Sequence, residues 1–460
     1  MNHILDVSVS DAQGWGGAGN SSAATTMRPT EIRLATTDGR LARGDAARCQ
    51  PALAPPTAST PAAAAGSARG IVALGFAGFC AFLNVYATQP LLPLFRDAFT
   101  ASTAVVGLTV SAPSIAVALA SPFVGALADR IGTRRIMVAS LFALVAPTAL
   151  AATATSMPAL VSWRFAQGLA VPGVYAGGIA YASARWQGKR MGEAMAALVT
   201  GNVLGGFVGR AVSGVVAEHA GWRASFLALA LLTAAGATAT RSWLPPAAAR
   251  SAPAPRPLAA LRALAARWRD ARLVSTFAVG FDVLFTQVAL FTYVTYYLSA
   301  PPFRLGSAAL SSIFVVYLAG AALTPLAGSW MGRAGPRRTL AVALAGGLIG
   351  TGLLASHALA MVVAGLALTC TATFVCQSAA TSYLQQAAPP EVRSVASGIY
   401  VSCYYLGGAA GGVLPAFAWR AGGWSACVAL AAAVQLVTFG LAMRFWAGAA
   451  RERVPPRSVS

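Results

Sequence analysis

From Ile71 onward the chain is a succession of apolar runs separated by short connections. Crossing a bilayer core takes about 20 predominantly apolar residues per helix. Runs of that kind fall at 70–93, 102–124, 135–156, 158–184, 192–217, 223–244, 273–298, 306–330, 339–356, 358–384, 394–418 and 423–446. Only 10% of the residues are charged, against about 25% in soluble domains. The pattern predicts an all-α membrane protein with twelve transmembrane helices. It disfavours a secreted disulfide scaffold, a cytosolic enzyme and a disordered regulator.

The remaining segments set the domain plan. Residues 1–68 are polar and rich in Ala, Ser, Thr, Gly and Pro, with no apolar core for a signal peptide. They read as a disordered cytoplasmic tail, with Met27 as an alternative start. Two six-helix bundles then occupy 69–244 and 273–446. The linker at 245–272 is rich in proline, and its Leu258, Leu261, Leu264 and Trp268 form one stripe beside Arg262, Arg267 and Arg269. That pattern suits an amphipathic helix lying on the inner membrane surface. A second cytoplasmic tail covers 447–460.

Charge fixes the orientation. The chain carries 33 Lys and Arg against 13 Asp and Glu, a net charge of +20. Seventeen of the basic residues fall in alternate connections, and only Arg96, Arg223, Arg304 and Arg420 fall in the others. Cytoplasmic loops hold the excess of Lys and Arg, so both termini are expected inside the bacterial inner membrane. The same rule, with an Arg-rich tail, accounts for the positive charge without a nucleic acid. The lipid bilayer and a small-molecule substrate are the partners expected of a monomeric chain.

The two halves repeat. Pro122 to Arg135 reads like Pro325 to Arg338, with Gly125, Gly132, Arg134 and Arg135 matching Gly328, Gly335, Arg337 and Arg338 at an offset of 203. Gly205, Gly206, Gly221 and Trp222 match Gly407, Gly408, Gly423 and Trp424 at an offset of 202. Duplicated six-helix halves that rock about a site near the midplane are a transporter architecture.

These motifs resemble a known family. Gly125 to Arg135 reads G-x-x-x-D-R-x-G-x-R-R, similar to the loop 2–3 signature of the major facilitator superfamily. Arg164 to Gly168 resembles the R-x-x-Q-G signature of its helix 4. Tyr86 to Pro93, which ends the first helix, further resembles the acriflavine-sensitivity branch of bacterial efflux permeases. One departure concerns helix 5, where drug–proton antiporters carry G-x-x-x-G-P-x-x-G-G. Here Gly206 stands in place of the proline and Arg210 in place of the last glycine.

The resemblance implies a conformational gate at the inner face. Asp129 would meet a helix N-terminus of the other half, a favourable charge–dipole contact. Gly125, Arg130, Gly132, Arg134, Arg135, Arg333, Arg337 and Arg338 would complete the gate. Gly332 replaces the acid in the second half, so a charge gate is one-sided.

Acids at depth are scarcer still. Asp282 lies nine residues past Leu273 in the seventh span, about 14 Å deep at 1.5 Å per residue. A charge there costs a few kcal/mol on lenient scales, and a carboxyl group that gains and loses a proton is what proton coupling requires. A structural polar contact is the alternative. Arg164 and Arg210 are the two cations inside spans. The resemblance makes Arg164 a coupling residue, with Gln167 on the same face. Binding an anionic substrate, or bonding backbone carbonyls, are the other readings. Asn84, Tyr86, Gln89, Tyr175, Arg210 and Gln287 are the cavity-lining candidates, suited to an amphipathic or cationic ligand.

Other classes fare worse. The chain contains no G-x-x-x-x-G-K-[ST] phosphate loop, so ATP is not expected to drive it directly. The cysteines and the histidines (His3, His219, His357) lack metal-ligand spacing. No metal or cofactor is expected, and the proton gradient is the expected energy source. Proton-coupled efflux of a small organic compound leads. A facilitator or symporter for a solute or organic anion is second. A receptor or an integral-membrane enzyme lacks a supporting motif.

Overall fold

The computed structural model describes residues 61–245, 270–389 and 392–446. Of the tail expected at 1–68, residues 61–68 open the first helix; residues 1–60, the linker helix and the second tail lie outside the described residues. The described residues are helical and contain no strand. In chain order the helices are α1 (Pro61–Val85), α2 (Leu92–Ala98), α3 (Thr103–Ile131), α4 (Thr133–Ala151), α5 (Met157–Arg185), α6 (Gly188–Trp243), α7 (Ala271–Ser299), α8 (Ser307–Ile313), α9 (Val316–Ala334), α10 (Pro336–Leu353), α11 (Leu359–Ala387) and α12 (Arg393–Phe445). A 3₁₀ turn at Gln89–Leu91 joins α1 to α2, and α8 and α9 form one broken pass.

Glycines that take positive φ punctuate the helices, because other residues reach that region only with strain. Gly132 (φ 92°) separates α3 from α4, and Gly335 (φ 80°) separates α9 from α10. Gly221 (φ 83°) and Gly423 (φ 63°) break α6 and α12 internally. At the break α6 reverses. Its first arm runs parallel to α1, with Gly201 against Gly75, Gly205 against Phe79 and Gly209 against Leu83. Its second arm runs antiparallel, with Thr233 beside Asn84 and Gly236 against Cys80. Since α12 breaks at the matching glycine, the described residues form twelve helical segments in the order that the sequence predicts. Seven helices meet a strict length and hydropathy test on their own, with α6 and α12 each counting once. The helix α5, which carries Arg164 and Gln167, and α10, which opens on Pro-Arg-Arg, fall short.

The halves are pseudo-symmetric in their contacts as well as their sequence. A Cβ on Gly205 would meet the Phe79 carbonyl, and one on Gly407 would meet the Phe281 carbonyl; both pairs are related by 202. The absence of side chains there lets α6 lie directly on α1, and α12 on α7. Large apolar side chains face outward, including Phe123 (75% exposed) and Leu231 (73%). In water such a surface would be a liability; against acyl chains it is the favourable arrangement.

Four side-chain hydrogen bonds join the halves among the described residues. Ser111 Oγ donates to the Ala409 carbonyl (2.6 Å), Gln89 Nε2 to Thr292 Oγ1 (3.1 Å), Arg210 to the Tyr317 hydroxyl (3.3 Å), and the Ala308 N–H to Glu218 (2.7 Å). All four lie in the part of the bundle nearest the Arg-poor connections. The halves are therefore held together at that face.

Candidate functional site

Three polar clusters stand out in an otherwise apolar interior. The first lies inside the N-terminal half. Arg164, wholly buried on α5, donates from Nε to the Thr109 carbonyl (2.9 Å) and from Nη1 to the Asn84 carbonyl (2.8 Å). It also bonds the Val85 carbonyl and Gln167 Oε1. These acceptors are free for a reason. The helix α1 ends at Val85, and the last carbonyls of a helix have no intrahelical partner. Thr109 lies four residues before Pro113, which has no N–H to offer it. Arg164 thus fills carbonyls orphaned in two neighbouring helices.

The cluster continues through side chains. Gln167 Nε2 donates to Thr148 Oγ1 (2.9 Å), Thr148 bonds Asn84 Oδ1 (3.2 Å), and Asn84 Nδ2 donates to Thr233 Oγ1 (2.9 Å) and the Cys80 carbonyl (3.2 Å). Four guanidinium bonds are made internally, so little donor capacity is left for a ligand. Of the three readings of Arg164, the geometry matches bonding to backbone carbonyls.

The second cluster lies between the halves. Arg210 donates from Nε to Gln89 Oε1 (2.7 Å) and from Nη1 to the Gly206 carbonyl (2.6 Å). Its guanidinium lies over three rings: Tyr317 (4.4 Å), Phe314 (4.8 Å) and Tyr86 (5.0 Å). Such stacking stabilises a buried cation whose fork still carries hydrogen bonds. Phe314 and Tyr317 belong to the C-terminal half, so the cage exists only while the halves are closed at this face.

The third cluster lies inside the C-terminal half. Asp282 is 2% exposed and accepts one hydrogen bond, from Thr286 Oγ1 (2.9 Å). No Arg, Lys or His lies within 4 Å of it among the described residues. Its side chain points toward α10, α11 and the second arm of α12, where it lines a small cavity with Thr286, Thr369, Thr373, Cys376 and Gln435. It faces neither lipid nor the seam between the halves.

The cavity candidates separate. Asn84 turns into the Arg164 cluster, while Tyr86 and Gln89 turn toward Arg210, because α1 stops between them. Tyr175 packs edge-on against Phe82 (6.1 Å). Gln287 Nε2 lies 4.0 Å from Cys370 Sγ. Gly125 falls within α3, and the Asp129 side chain lies outside the described residues. Of the expected gate arginines, Arg134 donates to the Leu244 and Arg241 carbonyls (both 2.7 Å), and Arg337 to that of Met443 (2.8 Å). Those bonds stay inside each half. Arg130, Arg135, Arg333 and Arg338 are exposed, and Gly132 shapes the α3–α4 turn.

Sequence reasoning missed Thr351, Thr369, Gln435, Tyr317 and Glu218. Three of them were within reach of the repeat: Thr148, Gln167 and Thr233 lead to Thr351, Thr369 and Gln435 at offsets of 203, 202 and 202. Glu218 makes an acid-to-helix-start contact of the kind expected for Asp129, but at the opposite face.

The chain resembles known proteins in sequence and in fold. The Major Facilitator Superfamily model matches residues 74–412 and 303–459. The inner membrane transport protein YnfM of Escherichia coli K12 is 29% identical over 359 residues, spanning 78% of this chain and 85% of YnfM. The uncharacterized MFS-type transporter YybF of Bacillus subtilis 168 is 28% identical over 371 residues, 80% of this chain and 90% of YybF. The structure of the nucleoside transporter NupG superposes with a TM-score of 0.69 at 15% identity, covering 83% of this chain and all of NupG. With the family's pattern matched from residue 74 to residue 459, the chain belongs to the major facilitator superfamily of membrane transporters.

Proposed function

We propose that this transporter exports a small organic compound, drug-like or a metabolite, across a bacterial inner membrane in exchange for protons. The observation that carries the reading is Asp282, a buried carboxyl group near mid-span with no cation at hand. Such a group is costly to keep charged and gains from protonation, so proton gain and loss can drive two arrangements of the helices around it. Closure of the halves at the Arg-poor face supports alternating access, because it is one end state of a rocking cycle. By the loop-charge rule that face is the outer one. The resemblance of Tyr86–Pro93 to the acriflavine-sensitivity permeases supports export of amphipathic compounds.

A second reading rests on Arg210. Parting of the halves would withdraw Phe314 and Tyr317 and bare a guanidinium to the outer vestibule, where an organic anion would bind it. Arg164, committed to carbonyls, supports neither substrate charge. Reconstitution under an imposed pH gradient, with cationic, neutral and anionic compounds, decides between the readings. Uphill movement of lipophilic cations with counterflow of protons supports export. Equilibration that ignores the gradient overturns coupling, and selective movement of anions favours the second reading.

A further inference from the structure

The Asp282 cluster occupies the place that pseudo-symmetry assigns to the Arg164 cluster. Cys80, Asn84, Gln167 and Thr233 correspond to Asp282, Thr286, Thr369 and Gln435 at an offset of 202, and Thr148 to Thr351 at 203. One bond corresponds as well: Asn84 bonds the residue four before it, as Thr286 does. Gln435 Nε2 donates directly to Thr351 Oγ1 (3.0 Å), whereas in the first half Asn84 bridges Thr233 and Thr148. The difference lies at the centre. Where the first half has Arg164, the second has Leu366. A carboxyl group takes the place of a thiol, and a cavity opens beside it.

That cavity offers about 10 Å³ to the centre of a water-sized sphere, room for one body of that size. Two of the oxygens of its lining side chains, Thr369 Oγ1 and Gln435 Oε1, have no hydrogen-bond partner among the described residues. Both residues are at most 2% exposed. Buried oxygens are rarely left so. With Asp282 and Thr286 they make a set of hard oxygen donors carrying one negative charge.

We propose that this cavity is a sodium-ion site, in which Na⁺ and a proton compete for the Asp282 carboxylate. A proton neutralises the carboxylate and supplies one O–H donor, which leaves one of the two oxygens unpaired unless a water molecule is bound as well. A water molecule pairs those oxygens but leaves the charge unbalanced. A small monovalent cation does both. Carboxylate, amide and hydroxyl oxygens suit alkali and alkaline-earth ions rather than softer metals, and a single carboxylate balances a single charge. The carboxylate is a donor of high field strength, which favours the smaller, more tightly charged Na⁺ over K⁺. The titratable groups packed around it are Cys376 from α11 and Tyr400 from α12, and neither carries positive charge in any protonation state. From α10 come Ala343, Leu344 and Gly347, which do not titrate.

The inference rests on Asp282 being the coupling group, and its test keeps the two apart. Binding of radioactive Na⁺ to the purified full-length protein is measured between pH 5.5 and 8.5, with choline chloride holding ionic strength constant. Saturable binding at high pH is expected, displaced one for one by protons and not by K⁺. Asp282→Asn abolishes it. Gln435→Leu and Thr369→Val weaken it at least tenfold, whereas Thr369→Ser, which keeps the oxygen, restores it. Absence of Na⁺ binding in a protein that still moves protons through Asp282 overturns the sodium site alone. Na⁺ binding that survives Asp282→Asn also overturns it. Absence of both Na⁺ binding and proton movement overturns the coupling role as well.

Discussion

Arg134 and Arg337, 203 residues apart, each turn a guanidinium onto carbonyls at the end of the last helix of their own half. The contact staples the start of α4 to the end of α6, and the start of α10 to the end of α12. Cations at a helix C-terminus satisfy orphaned carbonyls and oppose the helix dipole. Arg134→Ala should therefore lower the midpoint of thermal unfolding, at a cost of about 1–2 kcal/mol for two charge-assisted bonds. Arg337→Ala, which removes one such bond, should cost less. Thermal unfolding in detergent, read by intrinsic fluorescence, checks both. Unchanged midpoints with impaired transport would return these residues to the gate.

Replacing Arg164 separates clamp from coupling. A lysine keeps the charge but cannot reach three carbonyls and an amide with a planar fork. Breaking one member of a buried, fully bonded set costs about 3 kcal/mol or more when it leaves charge or acceptors unpaired. Arg164→Lys should give little folded protein by size-exclusion profile. Normal yield with loss of proton-driven transport would instead favour the coupling role.

The Glu218 contact should set how often the Arg-poor face opens. Its carboxylate caps the first turn of α8 across the seam, a charge–dipole contact of about 0.3–1 kcal/mol. Glu218→Gln should raise the labelling rate of a cysteine at buried Ser111 by an impermeant maleimide, two- to fivefold over Ser111→Cys alone. The background should lack the native cysteines. Equal rates would remove Glu218 from the closure.

Asp282→Asn should abolish substrate-driven proton movement in proteoliposomes and flatten the pH dependence of transport. Counterflow of substrate against substrate should persist, because exchange needs no net proton transfer. Full retention of proton movement would eliminate Asp282 as the coupling group.

The twelve passes were legible because membrane length and glycine punctuation are local signals. Gly132, Gly221, Gly335 and Gly423 sit where the repeat places breaks, and each takes the backbone shape that needs a glycine. The partners of Arg164 were not legible. They are main-chain carbonyls, freed by the end of α1 and by Pro113, and no inventory of side chains records them. Asn84 parts from Tyr86 and Gln89 because α1 stops at Val85, inside the apolar run that reads as one span over 70–93. The hydroxyls and amide around Asp282 were hidden by a general ambiguity. Most Ser and Thr side chains in these helices bond their own preceding turn, so a lone threonine in a span announces nothing. Its repeat partner gives it meaning.

The seam of main chain against main chain between α1 and α6, mirrored between α7 and α12, constrains how the molecule can work. Helices in such intimate contact cannot slide without driving carbonyls into α-carbons. Each of these helix pairs must then move as one piece. A loosening at Glu218 is delivered whole to the opposite rim, and anything bound inside one bundle, such as an ion beside Asp282, rides with it as cargo.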